Sequence, residues 1–210
     1  MAETAREQIL DQIRAALVKP DSRVGVGDTL RMWQSSPPVH ARPAVGEFLE
    51  RVEASGATWE RLQDESQLRE VVLARCQQQG ITQLVLTPSL PALTWPGELI
   101  WDGRPGLANS AVLCRARVGV AETGSVLLVS DTHSAAALHV LPEHLFVVLD
   151  PGHVVSYLED AMSFLRDGGM AWSANLVTGP SRTADVEQTI EFGAHGPRQV
   201  HLLLTPGAGL

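Results

Sequence analysis

The chain has 210 residues, 44% of them hydrophobic and 19% charged, with a net charge of −8 at pH 7 and a pI near 5.3. This length and composition fit one globular domain, or one domain with an extension, whose core needs neither disulfides nor metals to be stable. The acidic balance argues against a nucleic-acid binder, which needs clustered Lys and Arg to displace counterions, and against electrostatic binding to anionic membranes.

Two cysteines, Cys76 and Cys114, lie far apart without a CxxC pair. A disulfide framework is therefore not expected, and a reducing compartment is the default. Two cysteines also cannot hold an ordinary four-cysteine iron–sulfur cluster. No apolar run approaches a membrane span, and the mixed-charge start, Met1 to Glu7, lacks the apolar centre of a signal peptide. The protein is read as cytoplasmic.

In chain order, Ile9, Leu10, Ile13 and Leu17 repeat at helical spacing over 3–18, and Lys19-Pro20-Asp21 stops that helix. Residues 20–44 carry Pro20, Pro37, Pro38 and Pro43 with little periodicity, which reads as a long linker or arm. A helix over 45–55 (Val45, Phe48, Leu49, Val52) ends at Ser55-Gly56, and a short strand follows over 57–62. Residues 64–79 predict another helix, closed by Gly80, and 81–86 a buried strand. Strands over 111–121 and 125–130 flank the turn Glu122-Thr123-Gly124, and 145–149 is a further apolar strand. A helix over 153–166, a strand over 174–178, a helix over 181–191 and a strand over 199–204 complete the chain. The fold class is α/β, with a mainly parallel central sheet flanked by helices. The organisation is an N-terminal helix and Pro-rich arm over 1–44 and an α/β domain over 45–210.

The densest chemistry lies in Val177-Thr178-Gly179-Pro180-Ser181-Arg182-Thr183-Ala184-Asp185-Val186-Glu187, followed by Gly193-Ala194-His195-Gly196-Pro197. It reads as a strand, a tight Gly-Pro turn and a helix start, then a second rigid turn with a histidine. The unpaired N–H groups and partial positive charge of a helix N-terminus suit an anion. Gly179 allows close backbone approach and Pro180 presets the first helical φ. Ser181 and Thr183 offer hydroxyls, and Arg182 can pair with a carboxylate or phosphate. The plainer alternative is a strand-to-helix corner with Arg182 paired to Asp185 or Glu187. The ligand crevice is expected beyond the carboxyl ends of the strands, near Thr178 to Thr183.

Three segments carry a resemblance: Val120-Ala121-Glu122-Thr123-Gly124-Ser125-Val126-Leu127, then Leu141-Pro142-Glu143-His144-Leu145, then the 178–187 segment with Gly193 to Pro197. In order and spacing the chain resembles the lactate-utilisation (LUD) domain family over roughly residues 45–205. Ser125 and Leu145 stand where the family usually has Thr and Ile, both mild changes. The resemblance implies an α/β fold similar to the ribose-phosphate isomerase, glucosamine-phosphate deaminase and CoA-transferase group. It also implies a role in oxidising L-lactate to pyruvate alongside separate iron–sulfur proteins. The clusters would then sit in those partners, with no cofactor that this sequence shows of its own. Whether the chain forms homo-oligomers is left open.

Beside the corner, Glu122 is a candidate nucleophile by fold-level analogy with CoA-transferases, against a plain turn role accepting from the Gly124 or Ser125 N–H. Thr123 and Gly124 belong to the same turn as ligand contacts. His144 and His195 are acid–base or hydrogen-bonding candidates, with a structural role as the alternative for each. A metal site is not expected: His133, His139 and His144 lack i, i+4 spacing, and there is no HExxH. Two functions follow. The first is a non-redox subunit of a lactate-oxidising system that binds a small anionic ligand. The alternative is an independent enzyme on a phosphorylated or CoA-linked substrate, with Glu122 as nucleophile or base.

Overall fold

The computed structural model describes residues 5–17, 45–88, 90, 93–97, 99–100, 109–130, 135–167, 173–184, 190–193 and 195–206. The arm expected over 20–44 falls outside them. Helix α1 (Ala5–Leu17) belongs to a first unit, Met1–Val39, and forms where the apolar spacing predicts it. Everything below concerns the second unit, His40–Leu210.

Its centre is a five-stranded, wholly parallel sheet. The order is β1 (Thr58–Arg61), β11 (Gln199–Leu204), β6 (His144–Leu149), β3 (Ser110–Arg115) and β2 (Gln83–Leu86). The strands are near-continuous apolar runs because both faces are covered. On β6, Leu145, Val147 and Leu149 enter one core cluster while Phe146 and Val148 enter the other. This is the period-two alternation of a pleated strand, with apolar residues on either side.

Two helices cover opposite faces. Helix α2 (Val45–Ala54) turns Phe48, Leu49 and Val52 onto one, and helix α3 (Leu68–Gln79) turns Leu68, Val72 and Cys76 onto the other. A 3-10 turn, Glu65–Gln67, capped by Asp64, leads into α3, and Gly80 closes it at φ 67°. Left-handed φ is what a glycine C-terminal residue supplies.

A second sheet shares the core with α2, in the order β7 (Val154–Val155), β4 (Val118–Val120), β5 (Ser125–Ser130), β8 (Ser173–Val177). The single strand expected over 111–121 is two. At Ala116-Arg117 the chain leaves the parallel sheet, with the Ala116 N–H still on Val148 and the Arg117 N–H already on Leu127. Helix α4 (Leu158–Asp167) packs Ala161 and Leu165 on the outer side of this sheet, against Val118, Val120 and Leu127. It is shorter than the helix expected over 153–166, because Pro151–His153 forms a 3-10 turn and Val154–Val155 pairs with β4.

The largest departure lies at the corner. Of the helix expected over 181–191, the described residues instead form an antiparallel pair, β9 (Arg182–Ala184) with β10 (Ile190–Phe192), and 185–189 lie outside them. Thr183 and Ile190 are β-branched, which costs rotamer freedom in a helix and fits a pleated surface. The pairing of 182–184 with 190–192 is a contact that a helix start read from local residues does not announce.

Candidate functional site

Two Thr-Gly turns meet on the last turn of α2. Gly124, at φ 68°, lies so close to the helix that a Cβ there would stand 2.6 Å from the Arg51 carbonyl carbon and 2.7 Å from the Val52 nitrogen. Gly179, at φ 72°, is equally tight: a Cβ would stand 2.5 Å from Ser55 Oγ and 2.7 Å from the Ser55 carbonyl oxygen. Only glycine satisfies both the left-handed φ and the close approach at these positions.

The turns are joined by hydroxyls. In the β5–β8 register Val126 faces Val177, so the next residues outward, Ser125 and Thr178, face each other. Ser125 Oγ lies 2.6 Å from Thr178 Oγ1 and donates to Thr123 Oγ1 at 2.7 Å. Ser125 is fully buried, whereas Thr123 and Thr178 are exposed. Thr123 and Gly124 are thereby brought beside Gly179. The crevice expected near Thr178 to Thr183 includes Thr178, but its contact with Ser125 was not read from the sequence, although the repeated Thr-Gly pair after adjacent strands was a usable signal.

The corner itself differs from the expected anion cradle. With no helix there, the Ser181 N–H donates to the Pro197 carbonyl at 2.8 Å, and the Ser181 carbonyl accepts from the Gly193 N–H at 3.0 Å. Those two bonds bring Ser181 against the turn that holds His195, which is exposed. Arg182 donates from Nη2 to the Ser55 carbonyl at 2.7 Å, placing a cation at the negative end of α2. Pro180 is half-buried between them, and Thr183 sits in β9 opposite Glu191.

The corner's place in the fold is corrected as well. Ser55 leads directly into β1 and Pro197 into β11, so Thr178 to Thr183 border the amino ends of the parallel strands, not the carboxyl ends.

Two candidates are engaged elsewhere than between the turns. The Glu122 carboxylate accepts from the Leu158 N–H at 2.8 Å, capping the first turn of α4, rather than from Gly124 or Ser125. His144 is the first residue of β6 and is buried, with Nδ1 lacking a hydrogen-bond partner. Burial, with a smaller contribution from Arg198, holds its pKa below the ordinary value against the opposing influence of Glu143 and Gln199.

A further polar network escaped the sequence reading. His201, buried in β11, places Nδ1 2.7 Å from Thr58 Oγ1 and Nε2 2.9 Å from Glu60 Oε1, and Glu60 accepts from Arg75 Nε at 2.7 Å. Burial, aided by the Arg75 charge, pushes the His201 pKa down to about 4. For Glu60, burial works upward, but the bonds from Arg75 and His201 together carry its pKa below the ordinary value. The histidine stands in an otherwise apolar strand, Gln199–Leu204, and its partners are distant in sequence, so no local pattern announces it.

Both thiols are inert. Burial raises the Cys76 pKa to about 11 and the Cys114 pKa to about 12, and the two lie in different core clusters. Among the described residues no group of three or more His, Cys, Asp or Glu side chains is placed to hold a metal. Among them, too, no helix is long and apolar enough to cross a membrane.

Residues 103–205 match the family model described as the LUD domain. An uncharacterized protein of Neisseria meningitidis is 33% identical over 112 residues, covering 52% of this chain and 46% of its own length. Lactate utilization protein C of Geobacillus kaustophilus is 32% identical over 119 residues, covering 49% of this chain and 50% of that protein. The protein of that name from Bacillus velezensis is 30% identical over 126 residues, covering 52% of each. The chain thus spans about half the length of the curated relatives it matches. The crystal structure of a DUF162 family protein from Deinococcus radiodurans superposes with a TM-score of 0.54 at 17% identity, over 77% of this chain and 96% of that one. That likeness establishes the α/β fold.

Proposed function

We propose, from the premise that this chain belongs to the LUD-domain family through residues 103–205, that it is a non-redox member of an L-lactate utilisation system. In this reading electrons leaving L-lactate for pyruvate travel in separate iron–sulfur proteins, and this chain binds a small anionic ligand and its partners. The observation that carries the reading is the likeness to proteins named lactate utilization protein C. What supports it is that the sequence has two cysteines, too few for a four-cysteine cluster, and that they lie buried in different core clusters.

The ligand's place is the surface where the two Thr-Gly turns and the corner adjoin. Thr123, Ser181, Arg182, Thr183 and His195 are the side chains proposed to meet it, with Gly124, Gly179 and Pro180 setting the backbone. His144 lies at the buried amino end of β6, in register with Gln199, two residues after Pro197. The alternative, an enzyme with Glu122 as nucleophile, finds no geometric support, because that carboxylate is engaged by the start of α4.

The test is recovery of the full chain, affinity-tagged at its chromosomal locus, from cells grown on L-lactate. Iron and acid-labile sulfide should accompany it at salt concentrations that remove nonspecific proteins. A preparation from such cells free of iron–sulfur protein, at every salt concentration and after cross-linking, would count against the partnership.

A further inference from the structure

We propose that the chain forms a twofold dimer through the free edge of β8, with a second copy of itself as the partner. The proposal is independent of the role in lactate utilisation.

Strands at the edge of a sheet present backbone N–H and C=O groups that pair with another chain unless charge, shortness or cover prevents it. The two larger sheets end in four such strands, β1, β2, β7 and β8. β1 carries Glu60 and Arg61. β2 is covered on its outer side, where the Leu84 N–H donates to the Leu99 carbonyl and Ile100 bridges to Leu84. β7 is two residues long. β8 has none of these protections. Among the described residues it pairs only with β5, and the sequence from Met170 to Thr178 contains no charge, proline or glycine.

The outer face beside that edge is apolar. Leu176 stands in register with Leu127 and Ala174 with Val129, on the side that α4 covers. Both are exposed, Leu176 to 41%. The helix rests on β4 and β7 and leaves this part of the sheet open. Its Phe164 ring stands 6.3 Å from the His153 ring, next to β7. Met162, two residues from Phe164 and so on the opposite flank of the helix, faces the β5–β8 side and is 48% exposed.

Symmetry selects the occupant. A twofold axis normal to the sheet sets two copies of an edge strand antiparallel with like faces aligned. Centred on Asn175, it engages every residue of β8, and any other centre leaves part of the strand unpaired. Leu176 of each copy then faces Ala174 of the other, large against small on the apolar face, and Val177 faces Ser173. Asn175, at the axis, meets His139 Nδ1 at 2.9 Å within its own chain, so no polar side chain is stranded there. The edge is thus complementary to itself. It also lets two chains of net charge −8 meet with no charged side chains set opposite each other. The same register lays the start of the second copy's strand beside Val177, at the rim of the Thr178-Gly179 turn.

The test is sedimentation velocity of the full chain over a wide range of concentration, which should show a reversible monomer–dimer equilibrium. Two double variants probe the register. Ala174→Lys with Leu176→Lys, and Ala174→Glu with Leu176→Glu, each set like charges directly opposite one another across the axis. Each alone should dimerise at least about 10-fold more weakly than the parent, and an equimolar mixture should recover the dimer, because opposite charges then face each other at both positions. Circular dichroism verifies the fold of each. Where a double variant fails to fold, Leu176→Lys mixed with Ala174→Glu carries the same test, since that pairing keeps one native contact and gains one ion pair. A parent chain monomeric at every concentration overturns the proposal. So does a dimer that the charge variants leave intact, or a mixture that stays monomeric. A monomeric parent whose variants lose their iron–sulfur proteins in the recovery experiment assigns the edge to a different protein and overturns it as well. That experiment decides the partnership whichever way the dimer falls.

Discussion

The guanidinium of Arg182 caps the Ser55 carbonyl at 2.7 Å, so a residue that looks like an anion ligand in sequence closes the last turn of α2 in space. A Cβ on the neighbouring Gly56, at φ 88°, would run into the same guanidinium. The hairpin β9–β10 is thereby fastened to the helix that underlies both Thr-Gly turns.

Arg182→Ala removes a charge-assisted hydrogen bond and a favourable helix-end charge. Both are discounted because the side chain is exposed. The expected loss is about 1 kcal/mol, read as a drop of roughly 2–4 °C in Tm. Arg182→Lys should recover part of it. A variant as stable as the parent would show that the contact does not fasten the hairpin.

Gly179→Ala and Gly124→Ala should each destabilise by more than about 2 kcal/mol, combining a left-handed φ with a steric overlap. They differ in rescue. The Gly179 Cβ meets Ser55 Oγ, so adding Ser55→Gly should restore part of the stability in urea unfolding. The Gly124 Cβ meets the Arg51 and Val52 backbone, and no side-chain truncation should help. Equal rescue at both sites would refute the packing described.

Acid should weaken the fold through His201. Its pKa falls from 6.5 in the unfolded chain to about 4 in the folded one. Between those values the unfolded state binds the proton and the folded state does not, so stability is full above about pH 6.5 and declines as pH falls toward 4. At roughly 1.4 kcal/mol per pH unit the decline reaches about 3 kcal/mol. Glu60, whose pKa is also lowered, extends the loss below its ordinary value of 4.5. Burial likewise lowers the pKa values of His139 and His144, so their contributions have the same sign. Urea unfolding from pH 7.5 to 4 should show this slope, and His201→Phe should flatten most of it. An unchanged slope in that variant would mean the titration belongs elsewhere.

Glu122→Gln keeps an acceptor for the Leu158 N–H and should cost under about 1 kcal/mol, with growth on L-lactate preserved. Loss of growth in a folded Glu122→Gln protein would revive the nucleophile reading.

Much of this fold is written locally. The apolar runs 145–149 and 199–204 are β6 and β11 almost to the residue, and the Phe48–Leu49–Val52 face of α2 and the Gly80 exit of α3 lie where spacing puts them. Two things were not legible. Ser181 to Glu187 has the hydroxyls and carboxylates of a helix start, and only pairing with 190–192 makes Arg182–Ala184 a strand. The Ser125–Thr178 contact joins residues 53 positions apart, and His201 meets Glu60 across 141, so neither leaves a trace in any short window. The sequence reading therefore found the two turns but drew the anion site from a helix start at Ser181, where the described residues form a strand.

The most direct measurement is growth of a strain lacking this chain, in a background with no other lactate dehydrogenase. Growth on L-lactate should fail while growth on pyruvate is normal, and the intact gene supplied in trans should restore it. Equal growth on L-lactate with and without the chain would contradict a role in lactate utilisation.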